Sequence, residues 1–372
     1  MKLVIISHTQ HYKNSDGSIV GWGPTITEIN HLTLIFDEIY HIAVLTNEKA
    51  PKSAIPYTSD TIHFVPLKEV GGLKVKDKFN VLLQIPNVIK TVNETLKKVT
   101  IFQFRAPTGM GVYLIPYLTF FTRKKGWFKY AGNWKEENAA LGFTFQRWFL
   151  KKQKRKVTIN GAWKDQKKQC ISFENPCLTD LNRENGLKSI KKKGNNELVN
   201  YCFVGTFYKR KGIDKILEAL SKLTHPRMGT FYFVGAGGAV EIYKQRSKKI
   251  KIKINFTGFL AKSEINEVYR KCQYIVLPSD NEGFPKVIGE AMNYGCVPIV
   301  SNVSCIGQYI ENKKNGFLIE PNTVERLTDL INESLLLNSS DYYNMVEYNY
   351  RLANKFTYAY YNKQLQDKIV NF

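Results

Sequence analysis

Nowhere is this 372-residue chain apolar for the ~20 consecutive residues that a membrane-spanning helix needs. The longest candidate, Val112 to Phe121, reaches about half that length and contains Pro116. Residues 1–10 carry one lysine and a short apolar run, Leu3 to Ile6. That run reads as a first strand rather than a secretion signal, so a cytoplasmic protein is expected. Cysteine is sparse, and the six present (Cys170, Cys177, Cys202, Cys272, Cys296, Cys305) show none of the paired spacings of a zinc site or disulfide framework. They are expected to serve as small buried apolar residues. His8 and His11 have no cysteine or acidic cluster nearby that would complete a metal site.

Acidic residues are also few: 32 Asp and Glu face 54 Lys and Arg, a formal net charge of +22. The densest basic cluster is 147–156, where Trp148, Phe149 and Leu150 interrupt Arg147, Lys151, Lys152, Lys154, Arg155 and Lys156. A second, 123–129, sets Arg123, Lys124, Lys125 and Lys129 beside Trp127 and Phe128. Cations interleaved with aromatics suit an anionic membrane surface, at roughly 1 kcal/mol per cation near the lipid. Nucleic acid would be drawn by the same field, and an ordinary solvated lysine-rich face is the plain alternative.

At 43% hydrophobic and 13% aromatic the composition is globular, and the length favours two domains. Apolar runs alternate with helical patterns throughout, which argues parallel sheets with crossover helices. In the first half, Leu3–Ser7, Ile39–Leu45, Ile62–Pro66, Ile101–Phe104, Trp127–Ala131, Val157–Ile159 and Ile171–Phe173 read as strands. Pro24–Phe36 and Asn87–Lys98 read as helices. From Cys177 to Glu197 the chain is polar and lysine-rich without periodicity, which predicts a linker. Beyond it, strands are expected at Leu198–Gly205, Thr230–Gly235, Ile252–Thr257, Tyr274–Pro278, Val297–Val300 and Gly316–Ile319. Helices are expected near Ile213–Leu223, Ser263–Cys272 and Pro285–Tyr294, with a tyrosine-rich helical stretch from Tyr342 to Ile369.

The richest stretch is Leu277 to Ile299. It places Glu282 in a turn after a buried strand and Glu290 eight positions later, up the following helix. Gly283 and Pro285 fit a tight turn with proline at the first helical position. Unbonded N–H groups at such a helix start attract anions. Flanking carboxylates accept hydrogen bonds from hydroxyls, so the pair suits a sugar nucleotide.

Pro278-Ser279, Glu282-Gly283-Phe284-Pro285, Glu290-Ala291-Met292 and Gly295-Cys296-Val297-Pro298 closely resemble the E-x7-E signature of glycosyltransferase family 4, retaining enzymes of GT-B fold. The likeness continues through Gly307 and Asn315–Leu318. The resemblance implies two Rossmann-like domains facing across a cleft. Here these would be residues 1–176 on the acceptor side, a linker at 177–197, and the donor-nucleotide domain at 198–350. Residues 351–372 would form a C-terminal helix, able to return to the first domain.

Other positions follow from the same likeness. The turn Gly205-Thr206-Phe-Tyr-Lys209-Arg210-Lys211-Gly212 resembles the family's Gly-Arg-Leu-x-x-x-Lys-Gly motif, with Thr206 where the family has arginine. Three consecutive cations at a strand-to-helix turn are placed to face a diphosphate. Lys211 and Arg210 are therefore expected on the diphosphate, Glu290 on the ribose hydroxyls and Glu282 on the donor sugar. Gly235 in Gly235-Ala-Gly237-Gly238 would lie near the base, and Gly21 in the first glycine-containing loop, ahead of a helix bearing Glu28, near the donor phosphate or the acceptor. Arg105, ending strand Ile101–Phe104, and Asn133-Trp134 sit where parallel α/β sheets gather binding groups. With no Asp-x-Asp sequence in the chain, a metal-bridged diphosphate has no support, and neither metal nor cofactor is expected.

The implied activity is metal-independent transfer of a sugar from a nucleotide-diphosphate donor to a glycan or lipid-linked acceptor, peripheral to the inner face of a membrane. A sugar-nucleotide epimerase of the same fold, a basic nucleic-acid-binding protein and a binding-only relative that has lost catalysis are the competing readings.

Overall fold

The computed structural model of the chain describes residues 1–69, 75–194 and 197–371, and of residues 75–82 the backbone alone. It divides into two compact units, Met1–Phe173 with Asn362–Phe372, and Glu174–Tyr361. No helix among the described residues is long and apolar enough to cross a membrane.

The first unit runs β1 (Lys2–Lys13), β2 (Ile19–Trp22), α1 (Gly23–Leu32), β3 (Glu38–Thr46), β4 (Ala54–Pro56), β5 (Ile62–Lys68), α2 (Val75–Lys98), β6 (Ile101–Ala106), α3 (Gly111–Phe120), β7 (Lys125–Tyr130), α4 (Leu141–Lys152), β8 (Val157–Ile159) and β9 (Cys170–Ser172). Its centre is parallel, in the order β5-β3-β1-β6-β7-β8-β9. Leu3 to Ile6 on β1 are fully buried between β3 and β6, as a continuous apolar run in a central parallel strand must be. β1 is longer than the expected Leu3–Ser7. Its far end, His11 to Lys13, leaves the core register and pairs antiparallel with β2, which in turn pairs with β4. These two short strands carry no alternation long enough to read in sequence.

The second unit contains α5 (Asp180–Lys192), β10 (Val199–Val204), α6 (Ile213–Lys222), β11 (Met228–Val234), α7 (Val240–Ser247), β12 (Ile254–Gly258), α8 (Lys262–Lys271), β13 (Tyr274–Leu277), α9 (Lys286–Asn293), β14 (Val297–Ser301), β15 (Phe317–Ile319), α10 (Val324–Leu336), α11 (Ser339–Ala353) and α12 (Tyr358–Leu365). Its sheet is wholly parallel, ordered β12-β11-β10-β13-β14-β15. Aromatic rings cross it from strand to strand, with Tyr201 on Tyr274 at 5.2 Å and Phe233 on Phe256 at 4.8 Å. α6 buries Ile213, Ile216, Leu217 and Leu220, an i, i+3, i+4, i+7 stripe that fixes it on the sheet.

The segment expected as a linker holds a helix instead. α5 starts at a capping box, with Thr179 accepting from the Asn182 amide and Asn182 returning a bond to Thr179. Few of its residues are apolar, so periodicity does not announce it. It is held by polar contacts: Arg183 to Asn293 Oδ1 at 2.7 Å, and Lys193, just beyond the helix, to the carbonyls of Tyr269 and Tyr294. Asn195 and Asn196, the later part of that expected linker, lie outside the described residues, as does Phe372. The tyrosine-rich end forms two helices, α11 and α12, separated by a short turn at Asn354–Phe356.

Candidate functional site

β10 ends at Val204 and the chain reaches α6 through a single 3₁₀ turn, Lys209–Lys211, closed by Gly212 in the left-handed conformation (φ 75°). A Cβ on Gly212 would lie 2.3 Å from the Pro278 carbonyl oxygen. Glycine therefore lets this turn press against the turn that follows β13, the neighbouring strand. Three contacts join the two turns. The Asp280 N–H donates to the Arg210 carbonyl at 2.9 Å, Lys215 pairs with Asp280 at 2.6 Å, and the Lys211 ammonium donates to Glu282. Lys211 and Glu282 are 17% and 12% exposed, so their charges face each other largely out of water. Asn322 braces the second turn, its amide donating to the Pro278 and Ser279 carbonyls. Two buried polar atoms at this corner, Ser279 Oγ and Asn322 Oδ1, have no hydrogen-bond partner among the described residues.

Gly235, closing β11 at φ 135°, does for Gly205 what Gly212 does for Pro278: a Cβ there would lie 1.9 Å from the Gly205 carbonyl oxygen. Thr206 and Arg210 are both exposed on the first turn. Arg210 makes no ion pair among the described residues, which leaves its guanidinium available to an anion.

Pro285 is the N-cap of α9 rather than its first helical residue, a one-position difference from the sequence expectation. No side chain caps this helix start among the described residues. The Phe284 ring is not part of the open turn: it stacks on Phe356 at 4.7 Å and meets Tyr309 at 4.8 Å. Gly283 contributes its carbonyl, which accepts from the Cys305 thiol at 3.5 Å.

Glu290, on the second turn of α9, accepts from the Tyr269 hydroxyl at 3.4 Å and pairs with Lys262 at 3.1 Å. Lys262 opens α8 and also donates to the Cys177 carbonyl at 2.6 Å. Burial disfavours its charge, but the facing Glu290 carboxylate outweighs that and holds the Lys262 pKa above its ordinary value. Burial, with Glu290 adding to it, pushes the Tyr269 phenol well up. Lys262 and Tyr269 were not anticipated from sequence. The rule that flagged Lys211, a helix start following a strand, would have flagged Lys262 too, since α8 follows β12.

In the first unit, Arg105 and Lys129 stand opposite each other in register at the carboxyl ends of β6 and β7. Both donate to one oxygen of Glu28 on α1, at 2.8 and 2.6 Å. Gln103 Oε1 accepts from Arg105 Nε at 2.9 Å and fixes the guanidinium further. Gly21 lies opposite His11 across β1 and β2, where a Cβ would come within 2.6 Å of the imidazole. A buried polar chain lies in this unit: Ser7 Oγ to His41 Nε2 at 2.7 Å, His41 Nδ1 to Tyr57 at 2.7 Å, and Tyr57 to His11 Nε2 at 2.8 Å. Trp134 is core, edge-on to Tyr130 at 5.0 Å, and the Asn133 side chain accepts from the Lys135 N–H.

The two basic-aromatic segments are sorted by the fold. Trp127 and Phe128 are fully buried on β7, and Lys129 is spent on Glu28. Arg147 is buried against the Glu136 carbonyl at 2.6 Å. Arg155 donates to the Thr122 and Lys124 carbonyls at 2.6 and 2.8 Å. A strand buried on both faces reads like an aromatic-basic surface when only its composition is considered. No group of three or more His, Cys, Asp or Glu able to hold a metal is found among the described residues.

Comparison with known proteins gives this geometry its setting. Residues 185–352 match the family model described as glycosyl transferases group 1. An uncharacterized glycosyltransferase of Haemophilus influenzae is 29% identical over 176 residues, 46% of this chain and 47% of that protein. The lipopolysaccharide glucosyltransferase WaaG of Escherichia coli is 26% identical over 149 residues, 39% of this chain and 40% of WaaG. The chain thus spans less than half the length of these relatives. Among solved structures, Anabaena HepE in complex with UDP superposes with a TM-score of 0.73 over 100% of both chains at 14% identity. That likeness shows the fold: two Rossmann-like α/β units of the GT-B kind. The family-model match lies entirely in the second unit, which holds Lys211, Glu282 and Glu290.

Proposed function

We propose that this chain is a retaining, metal-independent glycosyltransferase of family 4, moving a sugar from a nucleotide-diphosphate donor to a hydroxyl of a lipid-linked or cell-surface glycan at a membrane. The observation that carries this reading is the joining of the β10 and β13 turns by Lys211 and Glu282, beside the start of α9, whose N-cap residue is Pro285. Lys211 and the exposed Arg210 supply positive charge for a diphosphate. The first N–H groups of α9 add fixed dipoles that need no reorganisation as the leaving group gains charge. Glu290, held by Lys262 and Tyr269, takes the ribose hydroxyls, and Glu282 takes a hydroxyl of the donor sugar while steering Lys211. Arg105, fixed by Glu28, serves donor or acceptor from the first unit.

In the reaction the bond from the anomeric carbon to the diphosphate oxygen breaks and one to the acceptor oxygen forms on the same face. The acceptor proton passes to the departing diphosphate. No carboxylate among those assigned is needed as a nucleophile. UDP and UDP-glucose are present in HepE complexes, so uridine diphosphate sugars are the first donors to try.

The test is thermal stabilisation across UDP-, GDP-, ADP- and TDP-sugars without metal, followed by product analysis. Stabilisation by one donor that Glu290→Ala abolishes, with release of free nucleoside diphosphate and a new glycoside, is the expected result. A rearranged sugar nucleotide with no diphosphate released would instead mark an epimerase.

A further inference from the structure

The membrane part of this reading can be given a surface. α3, the turn after it and α4 expose a continuous apolar face: Phe120 and Phe121 are 70% and 75% exposed, Leu141 88% and Trp148 56%. On α4, Leu141, Phe145, Trp148 and Lys152 recur at i, i+4, i+7 and i+11, a single stripe, while Gln146, Arg147 and Leu150 face inward. The patch is joined ring to ring, Phe120 to Phe149 at 5.7 Å, Phe149 to Phe145 at 5.9 Å and Phe145 to Trp148 at 6.0 Å. Gln146 ties α4 to the segment just before α3 by donating to the Thr108 carbonyl at 2.9 Å. Isolated exposed apolar residues are ordinary; a joined aromatic face of this kind marks an interaction site.

Charge says what covers it. No Asp or Glu occurs in residues 111–135 or 138–164, which include α3, α4 and the turns that follow them; Glu136 and Glu137 lie in the segment before α4, where Glu136 pairs with the buried Arg147 at 3.7 Å. Arg123 and Lys125 are exposed on the turn after α3. Where α4 ends, a pocket of about 580 Å³ is lined by Lys151, Lys152, Lys154, Lys156, Lys168 and Lys368, with Asp367 the one carboxylate among the described residues. Lys152 belongs to both stripe and pocket, which makes the apolar face and the cationic pocket one surface. A second copy of the chain is a poor occupant, because pairing two such faces would bring their lysines together.

We infer that the α3–α4 face is a docking surface for an anionic phospholipid bilayer, its aromatic and leucine side chains entering the headgroup boundary while the lysine pocket takes lipid phosphate. This names the partner within the membrane-surface reading above, and places it away from the buried members of the 123–129 and 147–156 segments. It does not depend on the donor assignment.

The experiment is co-sedimentation of the full chain with vesicles of phosphatidylcholine alone and of equimolar phosphatidylcholine and phosphatidylglycerol. Binding to the mixed vesicles but not the neutral ones is expected. It should fall roughly tenfold or more in Phe121→Ser/Trp148→Ser and, separately, in Lys152→Glu/Lys154→Glu, about 1.4 kcal/mol per factor of ten. The lysine pair is exposed, so a folding failure of the aromatic pair would not cost the test. No binding to mixed vesicles, equal binding to neutral ones, or full binding by both variants would overturn the inference. So would concentration-dependent self-association that Trp148→Ser abolishes, or a short RNA displacing the chain from vesicles. Donor-induced stabilisation measured on the same samples separates the two readings: its absence with vesicle binding intact would sink the transferase assignment alone.

Discussion

Lys211 and Glu282 hold each other across two adjacent strand-to-helix turns, one following β10 and the other β13. A pair so placed does two jobs in the proposed reaction, since the carboxylate positions the ammonium and the ammonium orients the carboxylate. Glu282→Gln retains the shape but releases Lys211, and turnover is expected to fall about 10²-fold or more, with a smaller change in donor KM. Lys211→Met leaves Glu282 poorly exposed and without its cation, which should also lower stability by about 1–3 kcal/mol. A double-mutant cycle on denaturant unfolding measures the coupling. Additive effects of the two substitutions would show that the pair is not a unit.

Glu290→Ala removes the carboxylate from between Lys262 and Tyr269. If it carries the ribose, donor affinity should weaken about tenfold or more, while kcat at saturating donor changes less. Lys262→Met should produce a milder form of the same defect, because it frees Glu290 without deleting it. Isothermal titration with the donor nucleotide checks both, and unchanged affinity in Glu290→Ala would remove it from the site.

Gly212→Ala tests the close approach of the two turns. The left-handed backbone alone costs about 1–2 kcal/mol for a residue with a Cβ, and the contact with the Pro278 carbonyl adds to it. A lowered Tm with weakened donor stabilisation is expected. Gly17→Ala, also at positive φ but with open space around its Cβ, supplies the control with backbone strain only.

The Ser7–His41–Tyr57–His11 chain makes the first unit sensitive to acid. Burial lowers His11 from its ordinary 6.5 to about 4 and puts His41 well below its usual range, the latter helped by His11 and Arg105 nearby. Both are neutral when folded, so below pH 6.5 the unfolded chain binds the extra protons. Stability is thus fully present above that value and lost as pH falls towards 4, by about 3 kcal/mol from His11 alone. His11→Phe/His41→Phe should flatten the dependence of urea midpoints between pH 7 and 4, whatever it does to absolute stability. An unaltered slope would show that the histidines do not set it.

The alternation of strands and helices was legible because parallel strands such as Val157–Ile159 and Tyr274–Leu277 are short, mostly apolar and bounded by turn residues. Glu282, Glu290 and Lys211 stood out in the sequence as candidates because they lie at fixed distances from glycines and prolines that shape the turns. What stayed hidden has no local signature. α5 is held by a capping box and hydrogen bonds rather than an apolar stripe, and β2 and β4 are too short to show alternation. The partners of Glu290 come from α8, between twenty and thirty positions earlier in the chain. The basic clusters could not be sorted for a related reason: composition cannot separate a lysine that meets solvent from Lys129, which meets Glu28.

The first unit is discontinuous in the chain, and this has a consequence for biosynthesis. Its last piece, from Asn362 on, buries Leu365 and Ile369, and Asn362 donates to the His31 carbonyl at 2.8 Å. A ribosome making this protein releases Met1–Phe173 long before residues 362–371 exist, and the whole second unit is synthesised in between. The first unit must therefore wait, one seam open, until residues 362–371 have been made. A truncation just before Asn362 would then injure a unit whose other residues were made long before it.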